Sequence, residues 1–170
     1  MNDAFICVLI ILLCFLPIAL VLVIVLGAYY SRKAKRNKLF KNIHGDATIK
    51  APVRINSAKY QYRLIKFKGF QASGILYILN GKIIIEGYKN QRLEFDLRTV
   101  HLSWEGTDFM KSGLLQWFAI ENDANGRYYI NIETGILVLE LGTKATTQGL
   151  YTLLRNEQFN ILQTPPPVVR

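Results

Sequence analysis

Hydrophobic and polar positions follow three different patterns along this chain. In the first, residues 4–29 read AFICVLIILLCFLPIALVLVIVLGAY, without a charged side chain. A run longer than about 18 apolar residues can cross the hydrocarbon core of a bilayer as a helix, which satisfies its own backbone groups there. Between Phe5 and Leu26, 18 residues are Leu, Ile, Val or Phe. At roughly −0.3 to −0.6 kcal/mol each near the bilayer centre, they favour insertion by about 5–10 kcal/mol as an upper bound. Pro17 takes away one donor in mid-span, leaves the carbonyl of Leu13 without its usual partner, and predicts a kink. A cleaved signal begins with positive residues, has a shorter apolar core and ends in small residues. This run begins Met-Asn-Asp and ends Gly-Ala-Tyr-Tyr-Ser, so it is expected to stay as an anchor.

The second pattern has period two. Leu93, Phe95 and Leu97 alternate with Arg92, Glu94, Asp96 and Arg98; Val100, Leu102 and Trp104 alternate with His101, Ser103 and Glu105. Such alternation marks strands buried on one face. The phase slips at Arg98-Thr99, which predicts a bulge or turn carrying the chain to another sheet. Two hairpins stand out on either side. Gly74–Leu79 meets Lys82–Tyr88 across Asn80-Gly81, and Leu115–Glu121 meets Arg127–Ile132 across Asp123-Ala124-Asn125-Gly126. Asn and Gly accept the positive φ of tight hairpin turns. Tyr60–Lys68 supplies an earlier strand, and Ile136–Leu141 reads either as one more strand or as the tail of the last hairpin. Gly106, Gly113 and Gly135 read as turns, and Trp104, Trp117 and Phe118 as core or groove residues.

The third pattern is helical and begins after Gly142. Thr146 is placed to cap a helix whose Leu150, Leu153 and Leu154 form one stripe, with Tyr151 beside it. The pieces predict about seven antiparallel strands in two sheets, closed by this helix. The chain thus divides into a transmembrane anchor at 1–30, a basic juxtamembrane neck at 31–58, a β domain at 59–160 and a proline-rich tail at 161–170. The neck is expected to continue the helix for a few turns and to end near Gly45 and Pro52. The tail's Pro165-Pro166-Pro167 is expected to be extended.

Charge sharpens this division. The net charge is +9, but Arg32 to Lys68 holds twelve Lys/Arg against the single acid Asp46, whereas Gly69 to Arg170 holds nine basic and ten acidic residues. The chain therefore has a basic neck rather than a basic domain, which points away from nucleic acid. Basic residues directly behind a span stay in the cytoplasm. The expected topology is a single pass through the plasma or inner membrane, with the N-terminus outside and the C-terminal domain cytoplasmic. Arg32, Lys33, Lys35, Arg36, Lys38 and Lys41 follow the span, with Arg63, Lys66 and Lys68 on the proposed first strand. These nine are the candidate lipid-surface residues, since each cation near an anionic leaflet contributes on the order of 1 kcal/mol. Leu39, Phe40 and Ile43 give the neck an apolar stripe.

Candidate chemistry is sparse. The only cysteines, Cys7 and Cys14, lie seven apart in the anchor; apolar packing, palmitoylation and a dimer contact are all open for them. His44 and His101 are isolated and read as a loop and an exposed strand residue. No nucleophile elbow, phosphate-binding loop or zinc-protease motif is present, so no catalytic, cofactor or metal residue is expected. Glu94 and Asp96 share the polar side of a strand and read as solvated charge.

The run Gly74-Ile-Leu-Tyr-Ile-Leu-Asn-Gly-Lys-Ile-Ile-Ile, the run Leu93-Glu-Phe-Asp-Leu before Val100, and the closing helix with Leu150-Tyr-Thr-Leu-Leu together resemble the pleckstrin-homology superfold. That superfold includes its lipid-binding, GRAM-type and phosphotyrosine-binding branches. The resemblance covers roughly Tyr60 to Gln158 and implies a seven-stranded sandwich or barrel closed by a C-terminal helix. It also implies a binding role, with basic residues near the first hairpin in the phosphoinositide branch; Arg63, Lys66, Lys68 and Lys82 match that only in part. The expected function is a protein-interaction or scaffolding module held at the membrane, its partner bound through an exposed sheet edge. The alternative is binding of acidic phospholipid headgroups by the neck and first strands.

Overall fold

The computed structural model describes residues 3–43, 45–63, 69–87, 91–107, 115–133 and 146–163, the side chains of 3–14 and 32 excepted. The chain divides into two compact units, Met1–Asn37 and Lys38–Arg170. Helix α1 runs from Asp3 to Asn42 with Pro17 inside it. Phe15 to Val23 present large apolar side chains that the protein leaves uncovered. It is the one helix among the described residues long and apolar enough to cross a membrane.

Among the described residues, seven strands follow: β1 Thr48–Ser57, β2 Ala72–Leu79, β3 Lys82–Gly87, β4 Arg92–Asp96, β5 His101–Thr107, β6 Gln116–Asn122 and β7 Gly126–Ile132. A single helical turn, α2 (Ala58–Gln61), separates β1 from β2, and the last helix is α3, Thr147–Gln163. All strand pairs are antiparallel, in the order β4-β3-β2-β1-β7-β6-β5. The expected two sheets are therefore one. The chain turns at Leu97–Thr99, where Thr99 and Val100 donate to the carbonyl of Asp96. The strands on either side of that turn stand at opposite edges of the same sheet.

The expected first strand at Tyr60–Lys68 is also corrected. Residues 58–61 form α2, residues 64–68 lie outside the described residues, and the sheet starts earlier, inside the supposed neck. Pro52 reads as a strand breaker because it cannot donate to a ladder. Here β1 pairs with β7 from Val53 to Ser57, and Pro52 needs only to accept, its carbonyl receiving the amide of Glu133 at 2.8 Å. Its missing donor therefore falls just past the last paired residue.

The Asn80-Gly81 turn is as read, with φ of 51° and 72°, and Gly126 closes the second hairpin at 73°. Gly106 is no turn: it stands inside β5 with φ 68°, where the register slips between Trp104 and Gly106. Gly113, Gly135, His44 and Ile136–Leu141 lie outside the described residues.

The main core joins one face of every strand to the last helix: Val53, Ile55, Leu76, Ile83, Ile85, Phe95, Leu102, Phe118, Ile120 and Ile130 pack with Leu150 and Leu154. Thr146 caps α3 as expected, its Oγ1 accepting from the Gly149 amide at 3.0 Å. Leu153 leaves the stripe and is 51% exposed. The helix turns Tyr151 and Ile161 toward the core instead. On a 100° wheel this rotates the buried arc away from Leu153.

The opposite sheet face is covered as well. Ile75, Tyr77 and Ile84 pack against Leu39, Phe40 and Ile43 at the end of α1. The neck's apolar stripe thus serves as core. Trp117, Ala119 and Tyr129 form a third cluster under Ala58 and Phe70. Arg54 is buried between these two clusters, its guanidinium 5.4 Å from the Phe70 ring and donating to Asn131 Oδ1 at 3.4 Å.

Candidate functional site: surfaces, edges and charges

The basic residues that follow the apolar run lie on the last turns of α1. Lys33, Lys35, Lys38 and Lys41 are exposed and Arg36 is half-buried, while the side chain of Arg32 is outside the described residues. Lys33 stands one turn from Tyr29, its Nζ 6.0 Å from the ring centre. Arg63 follows α2 rather than standing in a strand; it is exposed, with its guanidinium 5.9 Å from the Tyr60 ring. It comes after the far end of β1, whereas Lys38 and Lys41 precede the near end. Lys66 and Lys68 lie outside the described residues.

Two of the hollows beside the sheet are lined in part by β1. One, of about 290 Å³, is lined by Ser57, Gln71, Gln91, Arg92, Leu93 and Tyr128. The other, of about 770 Å³, lies between β1 and the first turns of α3, with Ile49, Ala51, Ile132, Leu150 and Leu153 in its wall. Ile49 has a φ of 48° at a bulge between Thr48 and Lys50. A branched side chain seldom adopts that region. Neither hollow gathers titratable groups into a catalytic arrangement.

The charged residues of the sheet are occupied structurally. Glu94 pairs with Arg92 at 2.8 Å and Lys82 at 3.5 Å, and Asp96 Oδ1 accepts from the Arg98 amide at 2.8 Å. Arg127 joins Glu121 at 3.1 Å, Glu105 and Ser103, and lies over the Tyr129 ring. Tyr129 hydrogen-bonds Tyr62 at 2.6 Å; burial, and then this bond, keep its hydroxyl protonated well above the usual tyrosine range. Burial and the 2.8 Å bond to Glu86 push Tyr77 up to about 12. Among the described residues, no cluster of His, Cys, Asp and Glu could hold a metal ion.

The remaining feature is an edge. Among the described residues β5 ends the sheet. An edge strand offers unpaired N–H and C=O groups to another chain. Trp104 projects from it, 36% exposed, with its ring 5.5 Å from Tyr151 of α3. Tyr151 in turn lies 5.8 Å from Phe118. Further along, Gln158 donates to the carbonyls of Val100 at 2.8 Å and Leu97 at 3.0 Å. The last helix therefore runs beside the edge strand. The opposite edge is partly blunted, because Asn125 donates to the carbonyl of Glu94 in β4 at 2.7 Å. The local pattern reads Trp104 as core or groove, and nothing in it ties that residue to Tyr151, 47 positions away.

No protein-family model matches this chain, and no curated protein matches it.

Proposed function

We propose that this is a single-pass membrane protein whose domain from Lys38 onward faces the cytoplasm and serves as an interaction or scaffolding module, binding a protein partner by strand addition along β5. The carrying observation is the edge itself: among the described residues β5 pairs on one side only, with Trp104 leaning on Tyr151. In strand addition, main-chain hydrogen bonds supply affinity and pockets for alternate side chains supply specificity. The pleckstrin-homology-like reading belongs to this proposal. It is supported by the order of the strands, in which two antiparallel runs meet at β1 and β7, and by a last helix packed on the inner face. The apolar α1 and the cations behind it support the anchor and its direction.

The test is capture of partners from native membranes by the full-length protein. Trp104→Ala is expected to lower capture at least tenfold, while charge removal at Arg63, Lys66 and Lys68 leaves it unchanged. Bound partner should also slow amide exchange in His101–Thr107. Capture indifferent to Trp104, with no protection of β5, would refute the reading.

A second reading, binding of acidic headgroups, is favoured by the exposed Lys33, Lys35, Lys38 and Lys41 on α1. It predicts binding of residues 31–170 to anionic liposomes that is lost in high salt, since the attraction is screened.

A further inference from the structure

The strand-addition reading leaves open which peptides the edge would take, and the face of α3 beside it bears on that choice. Tyr151 lies against Trp104 at the middle of β5, and Gln158 binds the Val100 carbonyl just before the strand's start. Arg155 lies between them. At about 100° per residue, positions 151, 155 and 158 fall within about 60° of one another on the helix, so Arg155 shares the face that borders the edge. It is exposed, and among the described residues no carboxylate pairs with it. The carboxylates of β5 and β6, Glu105 and Glu121, are both held by Arg127. The border of the edge is thus apolar at Trp104 and Tyr151 and cationic one helical turn further on.

Spacing converts this into a motif. One turn from Tyr151 to Arg155 advances about 6 Å along the helix, at about 1.5 Å per residue. Two residues of an added strand advance about 6.6–6.8 Å and point to the same side. Resting on the strand-addition reading, we infer that the β5 edge selects extended peptides carrying an apolar side chain and, two positions away, a carboxylate. The apolar side chain seats on Trp104 and Tyr151, and the carboxylate pairs with Arg155. Residues at the intervening position face away and are unrestricted. A guanidinium suits this role because it presents a rigid fork to a carboxylate.

The experiment displays a random octapeptide library to the full-length protein in bilayer nanodiscs, in wild-type, Arg155→Glu and Arg155→Lys forms. Arg155 is exposed, so these changes leave the fold intact. Wild type is expected to enrich Asp or Glu two positions from Leu, Ile, Val or Phe at least tenfold over Lys or Arg there. Arg155→Glu should reverse that preference, and Arg155→Lys should keep it in weakened form. Enriched peptides whose acid preference is absent, or is unmoved by Arg155→Glu, overturn the motif while the edge reading survives. If no peptide is enriched by any form, or if enriched peptides leave the amides of His101–Thr107 unprotected, the edge reading itself falls.

Discussion

Gly74 meets its neighbour more closely than any side chain would allow. A Cβ placed on it would lie 2.2 Å from the carbonyl oxygen of Glu86, on the backbone of the paired strand β3. Backbone in the middle of a sheet cannot give way as a flexible side chain does. Gly74→Ala is therefore expected to destabilise the domain by about 2 kcal/mol or more, measured by denaturant unfolding of the full-length protein in detergent. Tyr77 gives a pH signature. Its folded pKa is raised to about 12, above the ordinary value of 10.0, first by burial and then by its bond to Glu86. A group raised on folding contributes stability that is whole below its unfolded pKa and is lost as pH climbs through the folded one. Unfolding free energy should thus fall between pH 10 and 12, and Tyr77→Phe should lose less across that window. An identical slope in the variant would contradict this assignment.

At the scale of the element, α3 shows what a stripe in the sequence leaves undecided. Leu150, Leu153 and Leu154 look equivalent, yet Leu154 is fully buried and Leu153 is 51% exposed. Leu154→Ala should cost about 3 kcal/mol through lost burial and a residual cavity, whereas Leu153→Ala should stay within about 0.5 kcal/mol. Thermal unfolding of the two variants side by side checks the rotation of the helix. The hairpins at Asn80-Gly81 and Asn125-Gly126 were legible because a two-residue signal is local and its φ requirement is strict. β1 was not. Its breaker, Pro52, is harmless only because β7 ends where it does, and its polar Arg54 and Asn56 are buried only because Phe70, Gln61 and Asn131 reach them.

At the scale of the molecule, the basic residues behind the apolar helix predict a direction for the proposed membrane crossing. Protease added outside intact cells should leave residues 38–170 uncut, and should cut them once the membrane is permeabilised. Cleavage in intact cells would reverse the topology. The candidate edge belongs to this scale too: Trp104 and Tyr151 come from a strand and a helix far apart in the chain, and only the sheet order leaves β5 last.

By itself, the sequence determined the apolar N-terminal helix, the antiparallel class, both hairpins and the last helix. Each of these follows from side-chain periodicity, uninterrupted apolar length or turn chemistry, and none depends on a distant partner. Tertiary structure alone decided that the sheet is single and that it begins at Thr48. It also decided that Leu39, Phe40 and Ile43 are core, and that Trp104 stands beside Tyr151 on the strand that ends the sheet among the described residues. The reason is physical: strand order and helix rotation are set by which faces can be buried together, and that pairing joins residues whose separation along the chain carries no local mark.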